Sequence, residues 1–222
     1  MTDKSFGRDR PAMNAEAGRP GANRGINFPR LYDLLILLMT RGRDPAYRAD
    51  LLDLAEVVPG QHVLDVGCGT GTQAIATYPH VQPGGSVTGV DISAKMLAVA
   101  RRKARRAALD IAFHHADAAC LPFDDEQFDT VTITTVIHMV PPSRRRLCLS
   151  EAWRVLRRSG RLLLIDYAGD PGERKGLVSK HGPHGRFDLY DLRGPLSEVG
   201  FEEITGGPIK WLELHFLRGT KM

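Results

Sequence analysis

Val63-Leu64-Asp65-Val66-Gly67-Cys68-Gly69-Thr70-Gly71-Thr72 runs an apolar segment straight into three glycines at alternate positions. The apolar run predicts a buried strand. The glycines let the backbone turn sharply and approach a ligand closely. Thr72 then opens a helix, whose first N–H groups have no partner within the helix. The next predicted strand, residues 86–92, carries Asp91 twenty residues beyond Gly71. A carboxylate there accepts hydrogen bonds from the hydroxyls of a ribose. A glycine loop between strand and helix, followed by a second strand with an acid at its end, is far more specific than a glycine loop alone. The spacing is G-x-G-x-G, with Asp65 two residues before the first glycine. A dinucleotide site uses G-x-G-x-x-G and rests its pyrophosphate on the helix N-terminus. A carboxylate beside the loop favours a cationic or zwitterionic ligand instead. A nicotinamide dehydrogenase is therefore disfavoured.

Outward from this stretch, strands and helices take turns. Strands are predicted at 62–67, 86–92, 111–117, 128–134 and 161–167, and helices at 72–79, 93–109 and 142–157. Such alternation predicts an α/β fold, a Rossmann-like, mostly parallel sheet with helices on both faces. Residues 186–201 read as a helix broken at Gly194-Pro195. Two last strands, at 202–207 and 209–218, are joined by a short link and predict an antiparallel hairpin. On the other side, residues 28–56 read as two helices, the second opening with Asp44 as N-cap and Pro45 at its first position.

The chain has 222 residues, 42% hydrophobic and 25% charged, enough for one domain with a substantial core. Residues 1–26, rich in Gly, Arg, Asn and Pro, read as a disordered tail. Residues 27–222 form the domain: a helical cap over 27–58, a cofactor-binding core over 59–168, and a lid loop with the hairpin over 169–222. Cys68, Cys120 and Cys148 show neither metal nor disulfide spacing. The longest apolar run, Leu34–Met39, is too short to span a bilayer. A cytoplasmic protein is expected. The net charge of +4 lies mostly in two arginine-rich stretches, 101–106 and 144–146.

VLDVGCGTG resembles the first motif of class I S-adenosylmethionine-dependent methyltransferases. VTGVDIS, ADAACLPFDDEQFDTVTI and RVLRRSGRLLLID resemble the motifs that follow it, in the family's order, over residues 60–168. Within the family the chain looks most like the ubiquinone/menaquinone C-methyltransferase-like (type 11) group. The resemblance implies seven strands with the last antiparallel, and S-adenosylmethionine as cofactor. It implies that Asp65, Gly67, Gly69 and Gly71 line the methionine end of the cofactor. Asp91 would hold the ribose and Ile92 would pack on the adenine. Asp117 and Ala118 would sit at the adenine, and Thr134 with Thr135 near the sulfonium. Arg158-Ser159-Gly160 stands where the family usually has Pro-Gly-Gly. Where the quinone group usually has Arg-Asn after the fourth strand, this chain has Ile137-His138.

Methyl transfer from a sulfonium is an in-line displacement in which the protein chiefly positions the reactants. A base is needed only when the acceptor loses a proton. His138, just beyond the fourth strand, is the candidate base. Of His114 and His115, one is expected to point inward by strand alternation. His181 and His184 lack the further ligands a metal needs, so no metal is expected. Tyr32, Tyr47 and the Leu34–Met39 stripe are expected either to line an apolar acceptor pocket or to be core. The arginines of 101–106 read as a solvated helix face, or as a grip on phosphates. The acceptor is expected to be a small or lipid-like molecule, with peripheral membrane contact open and nucleic acid not expected. A nucleic-acid methyltransferase and a non-catalytic cofactor-binding module are the other readings.

Overall fold

A computed structural model describes residues 43–169, 187–211 and 213–222. The predicted tail and first helix, with Tyr32 and the Leu34–Met39 stripe, lie outside the described residues. So do residues 170–186, with His181 and His184.

The described chain runs α1 (Asp44–Ala55), β1 (His62–Val66), α2 (Thr72–Val81), β2 (Ser86–Asp91), α3 (Ala94–Arg106), β3 (Ala112–His115) and β4 (Phe128–Thr134). A 3-10 turn (Ile137–Met139), α4 (Pro142–Val155) and β5 (Leu156–Tyr167) follow. A second 3-10 turn (Leu189–Leu192), α5 (Arg193–Val199), β6 (Phe201–Pro208) and β7 (Leu214–Lys221) complete it. The strands form one sheet in the order β3-β2-β1-β4-β5-β7-β6. β1 pairs in parallel with β2 and β4, and β5 in parallel with β4. β7 runs antiparallel to both of its neighbours, as the hairpin expectation required.

Helices cover both faces. Val63, Val87 and Phe113 pack under α2 and α3. Leu163, Ile165 and Leu214 lie under α1 on the same face. Leu64, Val131, Ile133, Leu162 and Leu164 pack on the other face against α4 and α5. Consecutive residues of one strand thus enter opposite cores, which is why the central strands are apolar at nearly every position. Ser93 caps α3, its Oγ accepting from the Met96 amide at 3.4 Å. Among the described residues no helix is long and apolar enough to cross a membrane.

Four expectations move. Asp44 is the first helical residue and Arg43 holds the cap position; the Asp44 carboxylate takes Arg48 at 3.2 Å, one turn on, instead of an amide. α4 ends at Val155 and β5 starts at once with Leu156, because Leu156 pairs with Phe128 and is fully buried. β7 starts at Leu214, not at residue 209. Trp211, just before it, packs its ring 5.9 Å from that of Tyr47 and donates to Asp50. Both histidines of β3 are exposed; Phe113 is the inward residue of this edge strand.

Leu164, with no exposed surface, is packed on the α4 side of the central sheet. Leu164→Ala is expected to lower unfolding stability by about 2–5 kcal/mol. Ile92→Ala, at a side chain 50% exposed, should stay within about 0.5 kcal/mol of wild type. Denaturant titration followed by circular dichroism reads both.

Candidate active site at the C-terminal edge of the parallel strands

In an open parallel sheet, ligands bind beyond the carboxyl ends of the strands, where the strand order reverses. Here the order reverses between β1 and β4, and the glycine loop leaves β1 at that place. The loop is stitched to the next strand. The amides of Gly67 and Cys68 both donate to the Val90 carbonyl, at 2.8 and 2.9 Å, and the Gly69 amide donates to Asp91 Oδ2 at 2.9 Å. At Gly67 φ is +71°, and a Cβ would stand 2.3 Å from Val136 Cγ2. At Gly69 φ is +54° and nothing lies within 4 Å of a Cβ position. Gly67 is therefore dictated by packing, whereas the backbone at Gly69 borders open space.

Asp65, the fourth residue of β1, is 4% exposed. Thr132 Oγ1 on β4 donates to its Oδ1 at 3.2 Å. Its Oδ2 has no partner in hydrogen-bonding geometry among the described residues. Burial drives the Asp65 carboxyl up from 3.8 to about 6, a rise only partly offset by the Thr132 hydroxyl, the Arg48 guanidinium and the Ala74 amide. A buried carboxylate oxygen without a partner in hydrogen-bonding geometry retains the capacity to accept from a bound group.

Asp91, at the end of β2, uses both oxygens within the protein: Oδ2 toward Gly69 and Oδ1 toward the Ser93 amide at 2.7 Å. Each oxygen retains a second lone pair. Burial raises its pKa, against the pull of those two amides. Ile92, beside it, is half exposed. Asp117 takes the Ala119 amide at 2.9 Å and the Arg144 guanidinium at 2.8 Å, with Ala118 half-buried beside it. Thr134 is half-buried at the end of β4, and its carbonyl accepts the Thr135 hydroxyl at 2.7 Å. Asp65, the three glycines, Asp91, Ile92, Asp117, Ala118 and Thr134 all lie at one edge of the sheet, at the ends of β1, β2 and β4 and just beyond β3.

His138 lies in the 3-10 turn after β4. Its Nδ1 is 2.8 Å from Oδ1 of Asp166, a carboxylate with no exposed surface in β5. The His138 amide donates to Asp166 Oδ2 at 3.1 Å, and the Tyr167 amide donates to Oδ1 at 2.9 Å. The ring stands edge-on to Tyr167 with centroids 5.2 Å apart.

Sequence reasoning passed over Asp166, Thr132 and Arg48. The signal for Asp166 was present: a lone acid closing the apolar run Leu162-Leu163-Leu164-Ile165, the same signature that marks Asp91. Tyr47 belongs to the core rather than to a pocket, 2% exposed among Leu51, Leu163 and Ile165. The basic run of α3 is partly used inside the fold. Arg101 donates to the Phe113 carbonyl at 2.6 Å, and Lys103 to the hydroxyls of Thr72 and Thr70 at 2.6 and 3.2 Å. No group of three or more metal-ligating side chains is present among the described residues.

Residues 63–160 match a family model described as a methyltransferase domain. A demethylmenaquinone methyltransferase of Thermus thermophilus is 38% identical over 147 residues, 66% of this chain and 66% of that protein. One from Bacillus cytotoxicus is 35% identical over 61% of this chain and 56% of its own length. The matched stretches thus span between half and two thirds of these relatives. A crystal structure of a SAM-dependent methyltransferase from Aquifex aeolicus superimposes with a TM-score of 0.71 at 20% identity, over 88% of this chain and 99% of that one.

The folded pKa of Asp65, about 6, lies above its ordinary 3.8, so the folded state binds that proton more tightly than the unfolded chain. Stability from this group is therefore highest in acid and falls as pH rises from about 4 to about 6. The ionised form costs about 3 kcal/mol at neutral pH. Asp65→Asn is expected to melt higher than wild type at neutral pH and to lose that advantage near pH 4. Calorimetric melting across that range checks it.

Proposed function

We propose, from the match of residues 63–160 to a methyltransferase-domain family model, that this chain transfers a methyl group from S-adenosylmethionine to a small, quinone-type acceptor. The observation that carries the reading is Asp65 Oδ2, buried and without a partner among the described residues, at the foot of the glycine loop. A dinucleotide rests its anionic pyrophosphate against such a loop. The amino acid end of S-adenosylmethionine offers Asp65 an ammonium group.

The other residues fit the same cofactor. Gly69 borders open space for its close approach. Asp91 keeps lone pairs for the ribose hydroxyls while holding the loop through the Gly69 amide. Ile92 offers an exposed apolar face to the adenine, next to Asp117 and Ala118. Thr134, at the end of β4, borders the place where acceptor and cofactor would meet. When bound, S-adenosylmethionine supplies an electrophilic methyl group. The chain's part is to hold the acceptor in line with it, by which several kcal/mol of barrier can be removed. His138 is the residue we assign as base.

The quinone class comes from the names of the relatives, which are demethylmenaquinone methyltransferases. A lipid-like tail on the acceptor agrees with those names. The Ile137-His138 pair departs from the Arg-Asn usual in the quinone group, so the acceptor-facing chemistry of this chain differs from theirs in detail. A nucleic-acid acceptor is not favoured, because Arg101 and Lys103 of the basic helix already bond within the fold.

Calorimetric titration with S-adenosylhomocysteine tests the cofactor site. Wild type is expected to bind in the micromolar range and Asp91→Ala to lose at least tenfold in affinity. Wild type that is folded and fails to bind contradicts the reading.

A further inference from the structure

We propose that Asp166 is a positioning residue that makes His138 a general base toward a hydroxyl proton of the acceptor. This rests on the methyltransferase reading above and deepens it.

The inference comes from how the two ends of the imidazole are treated. Nδ1 lies 2.8 Å from a carboxylate that is wholly buried. That carboxylate also takes two backbone amides, those of His138 and Tyr167. Asp166 is therefore fixed from three directions and holds the ring in one orientation. With a carboxylate at Nδ1, the neutral ring carries its proton on Nδ1, and Nε2 keeps a lone pair. Nε2 has no hydrogen-bond partner among the described residues. The His138 side chain is 16% exposed, so water or a ligand reaches it. A histidine used only as a packing or capping group has no need for a buried acid behind one nitrogen while the other is left without a hydrogen-bond partner among the described residues. A base oriented by a third group needs both.

Position agrees. The turn carrying His138 follows β4, whose Thr132 bonds to Asp65. Asp166 is the last residue but one of β5, the next strand. Among the described residues, the charged and titratable groups around the pair include Tyr167 on β5 and Arg145 on α4, which acts on Asp166 and whose guanidinium lies 4.8 Å over the Phe187 ring. Asp191, in the 3-10 turn before α5, acts on Arg145 together with Asp166. His215 of β7 stands opposite Asp166 and lies 2.7 Å from the Tyr190 hydroxyl. In the proton step, the acceptor O–H bond breaks and an N–H bond forms at Nε2. The electron pair stays on the acceptor oxygen, raising the nucleophilicity of that oxygen or of the ring carbon conjugated with it. Asp166 keeps its bond to Nδ1 and holds the ring in place through the step.

Two measurements test this. The first is nitrogen NMR of isotopically labelled histidine in the cofactor-free protein. Neutral His138 is expected as the Nδ1–H tautomer in wild type, to move toward Nε2–H in Asp166→Asn, and to return in Asp166→Glu. A wild-type ring protonated on Nε2 overturns the proposal. The second is turnover of naphthohydroquinone and of catechol by wild type, His138→Gln and Asp166→Asn. Both variants are expected to lose about 100-fold in kcat, with KM and S-adenosylhomocysteine affinity within twofold of wild type. The deficit should shrink as pH rises and the acceptor ionises unaided. A deficit that is equal at every pH, or that lies in KM, overturns it. His138→Gln keeps the test decisive if Asp166→Asn does not fold. Wild type that binds S-adenosylhomocysteine yet turns over neither probe contradicts the hydroxyl-bearing acceptor alone. Wild type that does not bind it removes the methyltransferase reading and this inference with it.

Discussion

One carboxyl group at the end of a fully covered strand sets the terms for the rest of the site. Asp65 lies where a solvated residue belongs by charge and an apolar one by burial. Thr132 satisfies one of its oxygens and no described residue satisfies the other. The fold tolerates a group whose ionised form is disfavoured by burial, at a place where the sheet changes its direction of growth. Such a cost persists when something outside the protein relieves it. A cofactor bearing an ammonium group, as proposed for this site, would do so and would thereby tie ligand binding to the ionisation of the folded state.

The loop that would receive the cofactor is held from behind by groups that leave its front open. Val90 anchors two successive amides and Asp91 a third. Lys103 spans from α3 to the hydroxyls of Thr70 and Thr72. The same Asp91 stiffens the loop and, in the proposed function, would hold the ribose, so its replacement would touch loop geometry and the proposed ribose contact together. On the far side of β4 a second acid, Asp166, plays a comparable part for His138. In both places a carboxylate near the C-terminal end of a strand fixes a neighbouring group.

The parts legible in the sequence were those whose physics is local. Gly67, Gly69, Gly71 and Asp91 declare a strand–loop–helix–strand unit within thirty residues, and the alternation of apolar runs with helical stripes predicts the parallel sheet. The parts that were not legible depend on distant partners. Leu156 begins β5 because Phe128 is there to pair with it. Tyr47 reads equally well as pocket or core until Trp211 is placed against it. His114 and His115 are both exposed because β3 is an edge strand, which alternation alone does not reveal. His138 could be named from its place after β4, but the acid behind it is 28 residues away on the next strand.

The account stands most directly on the claim that the unpaired oxygen of Asp65 receives a cationic group of the cofactor. Calorimetric binding of S-adenosylhomocysteine near pH 6, in buffers of differing ionisation heat, measures the protons exchanged on binding. An ammonium group beside Asp65 holds the carboxylate ionised, so wild type should release a fraction of a proton, and Asp65→Asn should release none from this group. Binding with no proton release in wild type at that pH would contradict the claim.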